Sequence, residues 1–428
     1  MPNLQTNSSR SSGVRIIRFI VAAIALCSLI GATFFAARAG LSKMDTKTAL
    51  TSGSLAAADR AVDLTPSDPD AHYARAVALS LNGEDAEAVK DYEQSAALRP
   101  RDYFLWLSLG AARDEAGDEA GALSAFREAV RLAPFYAQPH WQLGNLLLRA
   151  GGHIDEAFAE MRRAAESNPT LMPQLIDLTW TIYQGDVPSV EKVIEPQTSE
   201  ARVALAHFAA KHGKTTDAAG IFRSIENVSE DDRRAFLTEL MAAKDFRAAY
   251  EVWRAASKKD ARNSAGFTDG GFEEQINLDE IGFGWRVARD IQSVRVSIDN
   301  IQPHGGKSSL RLDWKGDANP SVPVISQLIL VEPNTRYRLR FSVRTDQLVT
   351  GGLPLVIIAD PSTNDSRELA HSDPFKERTS AWQDYSVEFT TGKETEAVVV
   401  ALKRQSCSSN PCPVFGSLWL DDFSLEKL

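Results

Sequence analysis

Apolar and polar positions divide this chain of 428 residues into three regimes. Phe19 to Ala37 is a run of 19 residues without a charge. As a helix it is long enough to cross a bilayer core of roughly 30 Å. From residue 41 onward, apolar and small residues recur every three to four positions, the spacing of helices that bury one face. That spacing stops after Trp253, and residues 258–266 form a polar linker with Lys258, Lys259, Asp260, Arg262 and Asn263. From Phe267 the period becomes two. Tyr337, Leu339, Phe341 and Val343 alternate with Arg336, Arg338, Arg340, Ser342 and Arg344, and Tyr385, Val387 and Phe389 alternate with Asp384, Ser386, Glu388 and Thr390. Such strands bury one face and solvate the other. With turns such as Glu332-Pro333-Asn334 between them, about eight or nine strands predict a β-sandwich.

The helical region repeats. Pro66, Pro100 and Pro134 are spaced 34 residues apart (100−66 and 134−100). In the last interval Trp106, Leu109 and Gly110 share one helix face, and Ala122, Phe126 and Ala129 share a face of the next helix. Gly110 permits close approach, Phe126 fills the space between the helices, and Pro134 stops the second one. Ala116-Gly117-Asp118 is a turn that requires a residue at positive φ. The preceding copy carries His72, Arg75, Ala76, Leu79, Gly83, Ala88, Tyr92 and Pro100. The following copy carries His140, Leu143, Gly144, Leu147, Gly151, Ala157, Met161 and Pro169, one residue longer at Gly151-Gly152. A partial copy (Ala57, Ala58, Ala61) precedes them, and weak copies follow at Leu205–Phe222 and Phe236–Ala256. This order, W-x2-L-G then A-x3-F then P, resembles the tetratricopeptide repeat (TPR). The match is specific over 66–169, and 41–257 reads as one α-solenoid. The resemblance implies stacked helix pairs with a groove that takes a protein partner.

The uncharged run predicts a transmembrane signal anchor over 16–38, with 1–15 as a cytoplasmic tail. The competing reading is a cleaved signal peptide, since Ala37-Arg38-Ala39 has the A-x-A form with Gly40 following. A lipoprotein does not fit, because Leu26 precedes Cys27 where a small residue is wanted. Arg10, Arg15 and Arg18 on one side balance Arg38, Lys43 and Lys47 on the other, so flanking charge barely orients the segment. We favour the bulk of the chain outside the cytoplasm, because of Cys407, Cys412 and the character of the C-terminal domain.

Hydrophobic content of 43% and charged content of 24% are ordinary for a globular protein. A net charge of −10 argues against nucleic-acid binding. Of three cysteines, Cys407 and Cys412 are separated by Ser-Ser-Asn-Pro and would close a small loop as a disulfide in an oxidising compartment. The alternative is two thiols on one loop.

The period-two region opens Asp269-Gly270-Gly271-Phe272-Glu273 and continues with Gly284-Trp285 and Gly305-Gly306-Lys307-Ser308-Ser309-Leu310. Gln327, Pro333-Asn334-Thr335-Arg336-Tyr337 and Trp382 follow, and it closes Trp419-Leu420-Asp421-Asp422-Phe423. That order resembles carbohydrate-binding module family 4/9, a galactose-binding-like jelly roll, over 267–428. The resemblance implies a structural calcium on Glu273 and Asp421 or Asp422 together with backbone carbonyls, hard oxygen ligands that suit the ion. The alternative is that Glu273 caps a turn and the two Asp residues solvate a strand end. No other cofactor is expected. Trp285, Trp382 and Trp419 match positions that look like core in that family, which leaves Trp314 as the candidate sugar platform. Arg338, Arg340 and Arg344 project from one sheet face and could read acidic sugars, or pair across strands with Glu388 or Asp384.

Chemistry is otherwise sparse. His72 and His140 occupy packing positions of the repeats, and His207 and His212 are five apart (212−207). The chain has no G-x-S-x-G, no phosphate-binding glycine loop and no H-E-x-x-H. The sequence therefore predicts a multidomain, non-enzymatic protein: a transmembrane helix, an all-α TPR solenoid and an all-β jelly-roll sandwich. It would be a single-pass envelope scaffold binding protein and polysaccharide, by analogy in exopolysaccharide assembly or export. The rivals are a pure protein scaffold with a structural jelly roll, and a cytoplasmic-facing adaptor.

Overall fold

The computed structural model describes residues 9–256, 266–278, 280–288, 293–363, 365–407 and 411–428, with side chains from residue 17 onward. Residues 1–8 of the expected tail and 258–265 of the expected linker lie outside the described residues. The helices are α1 (Ser9–Ser52), α2 (Leu55–Leu64), α3 (Pro69–Leu81), α4 (Asp85–Leu98), α5 (Tyr103–Glu115), α6 (Glu119–Leu132), α7 (Ala137–Ala150), α8 (Ile154–Ser167), α9 (Met172–Ile182), α10 (Val187–Ile194), α11 (Ser199–Lys211), α12 (Thr215–Arg223), α13 (Glu230–Ala242) and α14 (Phe246–Ala256). The strands are β1 (Arg286–Val287), β2 (Val294–Asp299), β3 (Ser309–Asp317), β4 (Ile325–Leu330), β5 (Arg336–Thr350), β6 (Pro354–Asp360), β7 (Arg367–His371), β8 (Arg378–Thr390), β9 (Ala397–Arg404) and β10 (Pro413–Lys427). Two compact units emerge, Met1–Gln184 with Lys192–Glu195, and Gly185–Glu191 with Pro196–Leu428.

The first unit is built of TPR-like helix pairs. Asp68, Asp102 and Asp118 cap α3, α5 and α6 by accepting from the backbone N–H of Asp70, Phe104 and Gly121. Gly117 takes φ +79° in the α5–α6 turn. A Cβ at Gly110 would lie 2.6 Å from the Phe126 ring, which is why α6 can lie so close to α5. α6 ends at Leu132, two residues before Pro134.

The apolar run and the first solenoid helix are one helix. α1 has 44 residues, about 66 Å at 1.5 Å per residue. Its apolar part is long enough to cross a bilayer by length and composition. Its last part packs on α2: Ser42 Oγ donates to Ala61 O (3.0 Å), and Arg38 donates to Asp63 O (3.2 Å) and Leu64 O (2.9 Å). The expected boundary between 38 and 41 is thus not a break, because no helix-stopping residue separates the two parts.

The second unit joins α11–α14 to an antiparallel two-sheet sandwich with strand orders β1-β4-β9-β6-β7 and β2-β3-β10-β5-β8. Leu310, Leu312, Leu339, Phe341, Val356, Val400 and Leu418 lie in its core. Gln327 is fully buried because its amide closes a two-way bond with the backbone of Thr268. Within this unit α14 packs both on α12 and α13 and on the segment before β1. Tyr250 and Trp253 pack on Phe283 (ring centroids 5.0 and 5.7 Å), and Trp253 Nε1 donates to Glu280 (3.0 Å). Lys244 donates to Ser362 O (2.7 Å).

Candidate functional site

The outer faces of the two sheets differ in character. That of the first sheet is aliphatic, with Leu355, Ile357, Val399 and Ala401 in contact. That of the second sheet is polar and aromatic. At its centre Trp419 of β10 is 5% exposed, because the guanidinium groups of Arg311 (5.0 Å) and Arg344 (4.7 Å) lie over its ring. Its Nε1 donates to Asp299 (2.8 Å). Arg344 also donates to Gln302 Oε1 (2.9 Å), and Gln302 O accepts from Trp382 Nε1 (3.1 Å). The half-buried Trp382 ring sits 5.5 Å from His304, whose Nδ1 meets Asp422 at 2.6 Å. That bond holds the His304 pKa above its ordinary value. Asp384 accepts from Ser342 Oγ (2.7 Å) and stays largely exposed. One end of this face thus gathers an aromatic ring, an amide, a guanidinium and a carboxylate.

The expected sugar residues separate. Trp314 is 2% exposed in the inter-sheet core, and its Nε1 has no hydrogen-bond partner. An indole with no free face cannot stack on a sugar, so Trp314 is core. Its alternation with Leu310 and Leu312 carried that signal. Conversely, only Trp285 of the three presumed core tryptophans joins the core, since Trp382 and Trp419 alternate with inward residues and face outward. Arg338 forks onto Glu388 (3.1 and 2.7 Å), which also takes Arg336, and Arg340 approaches Glu426 (3.4 Å). Their charges are met across the strands, and only Arg344 reaches the aromatic end.

The expected calcium residues meet where the domain's opening segment, the 304–308 turn and β10 converge. Glu273 accepts from the N–H of Lys307 (2.8 Å) and Ser308 (3.4 Å). Asp421, fully buried, accepts from His304 N (2.8 Å), Gly305 N (3.1 Å) and Asp422 N (2.8 Å). Burial raises its pKa, partly opposed by those amide bonds. Glycine at 306 suits its φ of +57°, and a Cβ at Gly305 or Gly306 would lie 2.4 Å from Asp422 Oδ1 or 1.9 Å from Glu273 Oε1, so either carboxylate would have to move. Asp422 itself takes φ +55° beside a register shift in β10 and turns its carboxylate to His304. The carboxylates therefore pin a loop through backbone amides. Among the described residues no cluster of three or more His, Cys, Asp or Glu could hold a metal. Glu273 Oε1 and Asp421 Oδ1 nonetheless converge, lying 4.0 and 3.9 Å from the Cβ position of Gly271.

Cys407 and Cys412 are joined as a disulfide, with Cα atoms 5.7 Å apart. Beside it, buried Arg404 donates to the carbonyls of Ala318 (2.9 Å), Gly352 (3.2 Å) and Cys412 (2.9 Å). Sequence reasoning missed this loop-tying cation because it reads as one more strand-end arginine.

In the first unit Trp106, Leu109, Gly110, Ala122 and Phe126 pack between helices as repeat residues do. Trp106 Nε1 donates to Pro100 O (3.0 Å). His72 and His140 occupy the same place and meet Pro66 O and Pro134 O, each at 2.9 Å.

Residues 265–410 match the family described as carbohydrate binding domain. No curated protein matches the chain. A solved structure titled "CBM4 structure and function" is similar at 16% identity and a TM-score of 0.29, covering 38% of this chain and 99% of that one. "Crystal structure of MamA" is similar at 17% identity and a TM-score of 0.29, covering 39% and 98%. The Pseudomonas aeruginosa structure titled as the functional characterization of pilF is similar at 19% identity and a TM-score of 0.32, covering 51% and 99%. No catalytic family is among the matches.

Proposed function

We infer that the chain is a non-enzymatic, membrane-anchored envelope scaffold whose helical pairs hold a protein partner and whose sandwich binds glycan. The carbohydrate binding domain match over 265–410 carries this reading. The outer face of the second sheet supplies a suitable site. Trp382 offers an aromatic surface for sugar C–H groups, while Gln302, Arg344 and Asp384 supply donors and acceptors for hydroxyls. With Arg336 and Arg338 on Glu388, and Arg340 near Glu426, this face favours a neutral or weakly charged polysaccharide. The apolar part of α1 and the disulfide support an anchor with the bulk of the chain outside the cytoplasm, where disulfides persist. Exopolysaccharide assembly or export fits this layout by analogy.

The test is retention of immobilised polysaccharides by the full chain in nanodiscs. Wild type should bind a subset, and Trp382→Ala should weaken binding about tenfold, near 1.4 kcal/mol. Absence of any retention, or an unchanged Trp382→Ala, would remove the glycan site. Protease accessibility in spheroplasts tests the topology, since protection of the solenoid and sandwich would leave the cytoplasmic-facing adaptor.

One observation favours a second reading. The segment before β1 covers Tyr250 and Trp253 of α14 through Phe283, where a stacked repeat would otherwise place its next helix. In this reading the sandwich is a structural end-piece of a pure protein scaffold, and the polysaccharide assay separates the two.

A further inference from the structure

The turn at Pro134 departs from its two predecessors in a way the packing of the helices does not require. The aligned turns read Pro66-Ser67-Asp68, Pro100-Arg101-Asp102 and Pro134-Phe135-Tyr136. In the first two, the Asp caps the following helix. In the third, Tyr136 makes no side-chain cap bond, and the stabilisation of a capping Asp is forgone. In its place stand two large aromatics, Phe135 at 86% and Tyr136 at 58% exposure.

A line of contacts joins this turn to α1. Lys43 Nζ pairs with Asp70 (2.7 Å) and Asp68 (3.1 Å). Arg99 pairs with Asp70 (3.1 Å) and lies 3.5 Å from Asp102. The Tyr103 and Tyr136 rings are 5.1 Å apart. The turns that precede α3, α5 and α7 therefore form one edge of the first unit, and it begins beside Arg38 and Lys43 of α1. Lys43 is six residues beyond Ala37 (43−37), the end of the uncharged run. Six residues are about 9 Å of helix. The headgroup layer on each side of a bilayer is roughly 5–8 Å thick. The edge thus starts at headgroup depth if α1 spans.

Resting on the reading that α1 crosses a bilayer, we propose that this edge lies against the bilayer surface and that Phe135 and Tyr136 insert among the lipid headgroups as a second contact beside the anchor. Aromatic rings, tyrosine among them for its polar rim, favour this layer. Lys43 and Arg99 on the edge are matched by Asp68, Asp70 and Asp102, which leaves Arg101 and Arg38 as its cations without a carboxylate among the described ion pairs, so the aromatics carry most of the contact. Two points of attachment fix how the helical pairs stand over the membrane, whichever side of it they occupy.

The test is nitroxide accessibility in the full chain, without reductant, in phosphatidylcholine nanodiscs. One label is placed on the native Cys27, exposed on α1. The others are placed, in a Cys27→Ser background, on Phe135→Cys and on Glu119→Cys at the opposite edge. The Phe135→Cys label should collide with oxygen relative to a nickel chelate several-fold more than the Glu119→Cys label, with little change in high salt. Equal aqueous accessibility at the two positions, with Cys27 in the apolar layer, overturns the edge contact and leaves the anchor standing. Protection from both quenchers at position 135 also overturns it, in favour of a protein contact. An aqueous or cleaved Cys27 segment overturns the anchor reading itself.

Discussion

His72 Nδ1 lies 2.8 Å from Asp91 Oδ1, joining α3 to α4 through two buried side chains. The other ring nitrogen meets Pro66 O at 2.9 Å. Both partners are acceptors, so the protonated ring is the form that donates to both, which favours the imidazolium. Arg75 completes the cluster with two bonds of 2.7 Å to the same carboxylate. His140 and Glu160 form the equivalent pair one repeat beyond Trp106, at 2.5 Å. Where the ring is Trp106, no acid is needed, since an indole has one N–H and no charge.

This cluster predicts a stability window. The Asp91 bond raises the His72 pKa above 6.5, in spite of burial. Burial pushes Asp91 upward, but bonds from His72 and Arg75 prevail and hold it below 3.8. A raised histidine contributes stability that is complete below its unfolded pKa and is lost as pH rises through the folded one. A depressed carboxylate contributes above its unfolded pKa and is lost as pH falls through the folded one. The cluster should therefore stabilise the helical pairs most between about pH 4 and 6.5, and less above. Asp91→Asn should cost about 3 kcal/mol near pH 6 and flatten the decline at higher pH. Urea melts followed by circular dichroism across pH check this, and an Asp91→Asn chain as stable as wild type near pH 6 would contradict it.

Two glycines of the repeats should not tolerate alanine equally. At Gly110 the added Cβ meets the Phe126 ring at 2.6 Å, whereas at Gly144 it meets Met161 Cγ at 2.7 Å and the Ala157 carbonyl at 2.9 Å. Alanine gains about 1 kcal/mol of helix propensity. Overpacking costs about 1–3 kcal/mol. A ring can shift more readily than a backbone carbonyl, so Gly144→Ala should lower the melting temperature more than Gly110→Ala. Adding Phe126→Leu should restore part of the loss only in the Gly110→Ala background. The reverse order of melting temperatures would refute this reading of the close approach.

Trp314 should behave as a core residue. Trp314→Ala should destabilise the sandwich by about 3–5 kcal/mol. Trp314→Phe removes a buried N–H without a partner, which relieves about 1–3 kcal/mol and offsets much of the lost volume. Thermal unfolding should show a small change for Trp314→Phe and a large one for Trp314→Ala, and polysaccharide retention by the phenylalanine variant should equal wild type. Loss of retention in a fully folded Trp314→Phe would restore the platform role.

The backbone-amide pins at Glu273 and Asp421 predict indifference to calcium. Thermal unfolding should be the same in EDTA and in millimolar calcium. Asp421→Asn, which turns an N–H₂ toward one of the donor amides, should destabilise by about 1–3 kcal/mol in both conditions. An upward shift in melting temperature with calcium, abolished in Asp421→Asn, would place the ion on these carboxylates.

Much of the architecture was legible in local spacing. The 34-residue interval of Pro66, Pro100 and Pro134 marked the helical pairs, and the apolar run 19–37 marked a helix long enough for a bilayer. Alternation in β5 and β8 marked the sandwich, and the 265–410 match agrees with the residues that suggested its family. Such features depend on neighbours within a few positions, so one chain displays them. Relations over long separations were not legible. Asp421 meets His304 across 117 residues, and whether a carboxylate there takes a cation or an amide depends on how a distant turn presents its N–H groups. Trp382 becomes a candidate surface because the 302–304 turn arrives beside it, and Trp253 of α14 finds Phe283 across 30 residues (283−253). Composition at each of these positions is compatible with core, ligand or surface. The choice among them is made by partners that only folding brings within contact distance.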